Sequence, residues 1–132
     1  MGRPLLLLED NADVAKVLST ILRFEGYEVS HEKDGLSGLE AARGQDWSAI
    51  VLDLNLPRLS GWEILAALEE DEQAHPPVIV VSATAEATRR EEALRRGAVE
   101  YLVKPVTAEV VARTVNQYAR EKQTAKTKSP RR

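Results

Sequence analysis

Short apolar segments alternate with segments of helical periodicity along the chain, and this alternation limits the fold more than any other sequence feature. Three apolar segments, at residues 5–8, 49–52 and 78–81, contain no polar residue at alternate positions. This pattern is typical of strands buried on both faces of a parallel sheet. Residues 27–30 and 100–103 are weaker candidates, which brings the number of predicted strands to five.

The segments between these strands favour helices. Apolar residues at positions 14, 17, 18, 21 and 22 follow the spacing of one helix face, and residues 36–42, 61–68, 87–96 and 110–118 are helical candidates as well. Ser60 and Glu63 match a capping box at the start of the third helix. Gly26, Gly44 and Gly97 follow predicted helices where a left-handed residue commonly ends a helix.

Five strand–helix units in a chain of 132 residues predict an α/β fold. Short alternating units imply right-handed crossovers, a parallel sheet and helices on both faces. We therefore expect a flavodoxin-like, doubly wound (βα)5 sheet with strand order 2-1-3-4-5. One domain is expected over residues 1–122, followed by a basic and disordered tail over residues 123–132. No room remains for a second domain, so a stand-alone module is expected.

Composition excludes several classes of function. The chain has no cysteine, which removes disulfides and thiolate catalysis. Residues 123–132 hold four of the 18 basic residues and none of the 21 acids, so residues 1–122 have a formal charge of −7. Such an acidic surface repels nucleic acid. No apolar run approaches the length of a membrane span, and a cytoplasmic protein without a membrane partner is expected.

Polar side chains follow four of the predicted strands at the sheet edge where open α/β folds bind ligands. They are Glu9, Asp10, Asp53, Asn55, Ser82, Thr84 and Lys104. Close carboxylate pairs repel by about 4 kcal/mol at an effective dielectric of 20. Lys104 compensates one of the three acidic charges, which leaves a formal −2. Oxygen ligands without His or Cys then favour Mg²⁺, with Mn²⁺ possible.

The sequence resembles the receiver domains of two-component response regulators over about residues 4–121. Four motifs carry the resemblance: Glu9-Asp10, Asp53-Leu-Asn-Leu-Pro-x-x-x-Gly61, Val81-Ser-Ala83, and Tyr101-Leu-Val-Lys-Pro105. Glu9 replaces the commoner aspartate, and Ser82 stands where threonine is also frequent.

The resemblance implies a role for each site residue. Asp53 would accept a phosphoryl group from a histidine kinase or phosphotransfer protein. Asp10, Asp53 and the main-chain carbonyl of Asn55 would hold Mg²⁺, with Glu9 acting through water. Ser82 and Lys104 would bind phosphoryl oxygens. An ionised aspartate can attack phosphorus without a general base once metal and lysine neutralise the donor.

The resemblance also implies a switch and an output. Ser82 would move toward the phosphoryl group and Tyr101 would turn inward from solvent, while Asn55 and Thr84 would tune hydrolysis. The Lys104–Pro105 bond would be cis. The surface of the fourth helix, fifth strand and fifth helix would bind an unknown partner or a second copy of the chain. Beyond self-phosphorylation and slow autodephosphorylation, no enzymatic activity is expected.

Three alternatives remain open on the residues alone. An aspartate-based phosphatase would need a second acid where Asn55 stands. An FMN-binding flavodoxin would need a phosphate-binding loop after Leu8, where this chain has acids. A receiver-like scaffold that is not phosphorylated is disfavoured by the presence of Asp10, Asp53, Ser82 and Lys104 together.

Overall fold

The computed structural model describes residues 2–71 and 75–119. Five strands and five helices alternate along this part of the chain. The strands are β1 Arg3–Leu8, β2 Tyr27–Glu32, β3 Ala49–Asp53, β4 Val78–Ser82 and β5 Ala98–Val103. The helices are α1 Ala12–Phe24, α2 Gly35–Gly44, α3 Gly61–Glu70, α4 Ala87–Arg95 and α5 Ala108–Tyr118. The predicted tail at residues 123–132 lies outside the described residues.

The strands form one parallel sheet in the order β2-β1-β3-β4-β5, which confirms the predicted topology. Successive leucines of β1 point to opposite faces of the sheet, because side chains alternate along a strand. Leu5 and Leu7 pack in the core beneath α1 and α5, whereas Leu6 and Leu8 pack in the core on the opposite face. This double burial explains why β1 contains no polar alternation.

Helix ends follow the local sequence with one exception. The capping box of Ser60 and Glu63 is present at the start of α3. Gly26 and Gly97 have φ angles of 101° and 104°, the left-handed conformation that glycine accommodates. The prediction for Gly44 is wrong: it is the last residue of α2, and Gln45 continues directly in an extended conformation, so no left-handed residue is needed there.

Within the described residues, no helix combines the length and the apolar character that crossing a membrane requires.

Candidate phosphoacceptor and cation site

Asp53 is the last residue of β3, at the carboxyl edge of the central strand of the sheet. The preceding residues of β3 are all buried and hold the strand in register with β1 and β4. Asp53 is itself only 5% exposed. Its Oδ1 accepts a hydrogen bond of 2.9 Å from the main-chain N–H of Asn55, which fixes the carboxylate relative to the following loop.

Lys104 reaches across the sheet edge to two of the acids. Its Nζ lies 2.8 Å from Oδ2 of Asp53 and 3.3 Å from Oε1 of Glu9. The main-chain N–H of Lys104 donates to the carbonyl oxygen of Ser82 at 2.8 Å, and the Lys104–Pro105 peptide bond is cis. The main-chain bond to Ser82 holds Lys104 beside the end of β4.

Glu9, Asp10 and Asp53 each place one carboxylate oxygen within 4.8 Å of the others. Glu9 is almost fully buried, whereas Asp10 is exposed. With Lys104 bonded to two of these acids, the cluster has a formal charge of −2. Oxygen-only ligands that approach this closely, with a partly open side for water, fit a small divalent cation such as Mg²⁺.

The same contacts shift two pKa values. Burial raises the pKa of Glu9 above its ordinary value, although the N–H of Asn11 and the charge of Lys104 act in the opposite direction. Burial by itself would lower the pKa of Lys104, but the hydrogen bond and charge of Asp53, with a contribution from Glu9, outweigh burial and raise it. Lys104 therefore remains an ammonium group at neutral pH.

Ser82 ends β4 next to this cluster and is buried. Its Oγ accepts a hydrogen bond of 3.2 Å from the main-chain N–H of Thr84. Within the described part of the chain, the Ser82 hydroxyl has no acceptor for its own hydrogen. Thr84 is half-buried and the side chain of Asn55 is exposed. The structure thus brings the residues predicted for phosphoryl and cation binding, and the two tuning residues, to one edge of the sheet.

Tyr101 lies on β5 and is only 4% exposed. Its hydroxyl donates a 2.7 Å hydrogen bond to the carbonyl oxygen of Thr84, and its ring packs in the core between the sheet and α3 and α4. The expectation that the ring begins in solvent is therefore wrong for this structure. Burial of the ring and the bond to Thr84 together favour the inward orientation.

Asn11 is a site-supporting residue that the sequence interpretation missed. Its side-chain oxygen accepts from the main-chain N–H groups of Asp13 and Val14 and caps α1, while its own N–H donates to Oε2 of Glu9 at 3.1 Å. An asparagine directly before a segment of helical periodicity is a recognisable capping signal. The contact with Glu9 has no comparable sequence signal.

The fold and this site define a receiver domain. The chain belongs to the response regulator receiver domain family, whose model matches residues 5–116. Members of the family act in two-component signalling, in which phosphorylation and histidine kinases are generally involved.

Curated relatives include longer transcriptional regulators. The transcriptional regulatory protein PrrA of Mycobacterium tuberculosis is 39% identical over 125 residues, which cover 94% of this chain and 53% of PrrA. SrrA of Staphylococcus aureus is 30% identical over 93% of this chain and 50% of its own length. The chain thus spans about half the length of these relatives, and its action as a stand-alone module stays a prediction.

Solved structures show the same fold. The receiver domain of the Francisella response regulator 1452 superposes with a TM-score of 0.84 at 26% identity, covering 89% of this chain and 96% of that one. The receiver domain of the sensor histidine kinase PA1611 from Pseudomonas aeruginosa gives a TM-score of 0.80 at 31% identity, covering 89% and 98%. That domain contains a magnesium ion coordinated in its active-site cleft.

Proposed function

We propose that this receiver accepts a phosphoryl group on Asp53 from a phosphohistidine of a histidine kinase or phosphotransfer protein, in a Mg²⁺-dependent reaction. The contact that carries the proposal is the 2.8 Å approach of Lys104 Nζ to Oδ2 of Asp53. It places a fixed cation beside the carboxylate at which phosphoryl charge would develop. Glu9 and Asp10 lie beside the same carboxylate and supply the remaining charge of the site.

In the transfer, a carboxylate oxygen of Asp53 forms a bond to phosphorus. The bond between phosphorus and the donor nitrogen breaks, and its electron pair stays on the imidazole, which takes a proton from solvent. Asp53 needs no general base, because it reacts as the carboxylate. Lys104 can shift from the carboxylate to a phosphoryl oxygen and offset the charge that the product adds.

Asp10, Asp53 and the main-chain carbonyl of Asn55 would hold the cation, and Glu9 would contact it through water. When bound, Mg²⁺ neutralises phosphoryl oxygens and orients them for in-line transfer. Mn²⁺ offers the same preference for oxygen ligands and is a second candidate cation. The cluster contains no His or Cys, the ligands that zinc prefers, and acids stand after β1 where FMN would need a phosphate-binding loop.

Ser82 and Tyr101 would couple phosphorylation to a change of surface. The unused hydrogen of the Ser82 hydroxyl can be donated to a phosphoryl oxygen, a charge-assisted bond of about 1.5–3 kcal/mol. A gain of that size shifts a two-state loop about ten- to a hundredfold. Thr84 and Asn55 lie where they can influence the access of water, so we assign them the tuning of phosphoryl lifetime.

The surface formed by α4, β5 and α5 is the proposed output face. In α4, Ala93 is the only buried residue, and the N-cap residue Glu86 makes no side-chain capping bond. A helix anchored this weakly can shift when the β4–α4 loop moves. This surface would bind an output partner or a second copy of the chain. The protein would act in the cytoplasm as a binding module that does not turn over an external substrate.

Intact mass after incubation with a small acyl phosphate tests the proposal. We expect a gain of one phosphoryl group with Mg²⁺ and little or none with excess chelator. A receiver-like scaffold would show no gain under either condition, and equal labelling in chelator would contradict the role of the cation.

A further inference from the structure

His31 contacts the site from β2, a strand that supplies none of the residues assigned above. Its Nε2 lies 2.7 Å from the main-chain carbonyl oxygen of Glu9. A carbonyl oxygen can only accept a hydrogen bond, so Nε2 carries the hydrogen and His31 donates. The carbonyl belongs to the peptide bond that joins Glu9 to Asp10. The imidazole therefore restrains the peptide unit between two acids of the cation cluster.

Glu9 is held at each of its other polar groups by a different part of the fold. Its N–H donates to the carbonyl oxygen of Glu32 at 3.2 Å, Oε2 accepts from Asn11 at 3.1 Å, and Oε1 accepts from Lys104 at 3.3 Å. The bond from His31 completes this set. The main-chain N–H, the main-chain carbonyl oxygen and both carboxylate oxygens of Glu9 are therefore all hydrogen-bonded.

Asp10 is held differently. Its side chain is exposed, and no residue within 2–71 and 75–119 donates a hydrogen bond to its carboxylate. Its position is set by the main chain alone: the Glu9–Asp10 peptide on one side and Asn11, the N-cap of α1, on the other. Rotation of the Glu9–Asp10 peptide plane would swing the Asp10 side chain away from Asp53.

We propose that His31 is a positioning residue for the cation site, because its bond to Glu9 keeps Asp10 within cation-binding distance of Asp53. The inference rests on the proposed Mg²⁺-dependent function. Loss of one hydrogen bond to a peptide carbonyl corresponds to a loss of about three- to tenfold in Mg²⁺ affinity. The rate at saturating Mg²⁺ should be unchanged, since Asp53 and Lys104 do not contact His31.

Three variants distinguish the loss of the hydrogen-bond donor at residue 31 from a change in the size of its side chain. His31→Phe keeps a planar ring without a donor, whereas His31→Gln places an amide nitrogen at the same number of bonds from the main chain. His75→Phe is the matched control, because His75 precedes β4 at the other end of the sheet and its ring nitrogen Nδ1 likewise pairs with a main-chain carbonyl, that of Pro76. Calorimetric titration with Mg²⁺ and the phosphorylation rate over a Mg²⁺ series provide the measurements.

We expect H31F to need about three- to tenfold more Mg²⁺ for half-maximal phosphorylation, with an unchanged rate at saturation. The lost hydrogen bond should also lower its unfolding midpoint slightly in chelator. H31Q and H75F should match the wild type. The inference would be overturned if H31F and wild type showed the same Mg²⁺ dependence, or if H31F and H31Q bound Mg²⁺ equally weakly. If H31F does not fold, His31→Thr replaces it, since threonine favours strands and is too short to reach. A wild type that neither binds Mg²⁺ nor gains phosphoryl would instead contradict the proposed function.

Discussion

The hydroxyl of Tyr101 donates a hydrogen bond of 2.7 Å to the main-chain carbonyl oxygen of Thr84. The main-chain N–H of Thr84 in turn donates a hydrogen bond of 3.2 Å to the hydroxyl of Ser82. Two side-chain hydroxyls, one beside Asp53 and one in the core under the output face, thus hold the two main-chain polar groups of Thr84. If Ser82 moves on phosphorylation, as proposed above, its displacement would reach Tyr101 through a single residue of the β4–α4 loop, Thr84.

Ser82→Ala should still accept phosphate, because Asp53 and Lys104 remain, but should lose most of the conformational response. Tyr101→Phe, which keeps the ring and loses only the hydroxyl, should loosen the loop in the unphosphorylated protein. NMR chemical shifts around residues 84–101, with and without phosphoryl, provide the measurement. A full wild-type response in Ser82→Ala would contradict this route and leave Asp53 as the acceptor.

Asp53→Asn should leave the fold intact and abolish labelling by a small acyl phosphate, since an amide is not a nucleophile at phosphorus. Its stability without Mg²⁺ should equal or exceed that of the wild type, because one charge of a crowded acidic cluster is removed. Asp46→Asn, at an exposed position remote from the cluster, is the control and should label fully. Stoichiometric labelling of Asp53→Asn would refute the assignment.

Glu9→Gln should stabilise the metal-free protein at neutral pH. Burial raises the folded-state pKa of Glu9 above its ordinary value of 4.5. The folded state therefore holds the proton more tightly than the unfolded state. The resulting stability is present below about pH 4.5 and is lost as pH rises through the folded pKa. Glutamine avoids that loss, so we expect the melting temperature of the variant at pH 7 to be higher than that of the wild type.

The difference between Glu9→Gln and wild type should shrink as pH falls toward 4.5, measured by thermal unfolding in chelator. Glu40→Gln is the control, because Glu40 is an exposed glutamate of α2. The Glu9 variant should also bind Mg²⁺ more weakly. A pH-independent difference, or one that matches Glu40→Gln, would contradict the role of burial.

Gly61→Ala should destabilise the protein by about 1–3 kcal/mol, the usual range for overpacking. An added Cβ at Gly61 would lie 2.6 Å from Cα of Leu54 and 2.8 Å from the carbonyl oxygen of Asp53, both main-chain atoms that cannot yield easily. Gly44→Ala meets nothing within 4 Å and should be neutral or slightly stabilising. Urea unfolding of the two variants checks this, and equal effects would show that the loop after β3 is adaptable.

Phosphorylation should alter the α4–β5–α5 face. If the occupant is a second copy, sedimentation should show a shift toward a dimer in the phosphorylated form, and Arg90→Ala, which changes an exposed α4 residue, should affect it. Arg23→Ala, on α1, is the control. Identical sedimentation and unchanged chemical shifts on this face in both forms would place the output elsewhere.

The sequence by itself determined the topology and the edge where the site lies. Unbroken apolar segments such as those of β1 and β3 can be stable only with both faces covered, and short strand–helix repeats allow few arrangements of a parallel sheet. Because the carboxyl ends of parallel strands meet, Glu9, Asp53 and Lys104 were expected together from their positions along the chain alone. Periodicity and strand ends are local properties, and a sequence displays them directly.

Only the tertiary structure decided the orientation of Tyr101, the absence of a left-handed residue at Gly44 and the contact between His31 and Glu9. The first and the last depend on residues distant in the chain: the carbonyl of Thr84 accepts from Tyr101, and the pairing of β1 with β2 brings His31 to Glu9. A side chain that can face either solvent or the interior takes the side where its polar atom finds a partner. That partner is set by strand register and loop path, which no local pattern contains.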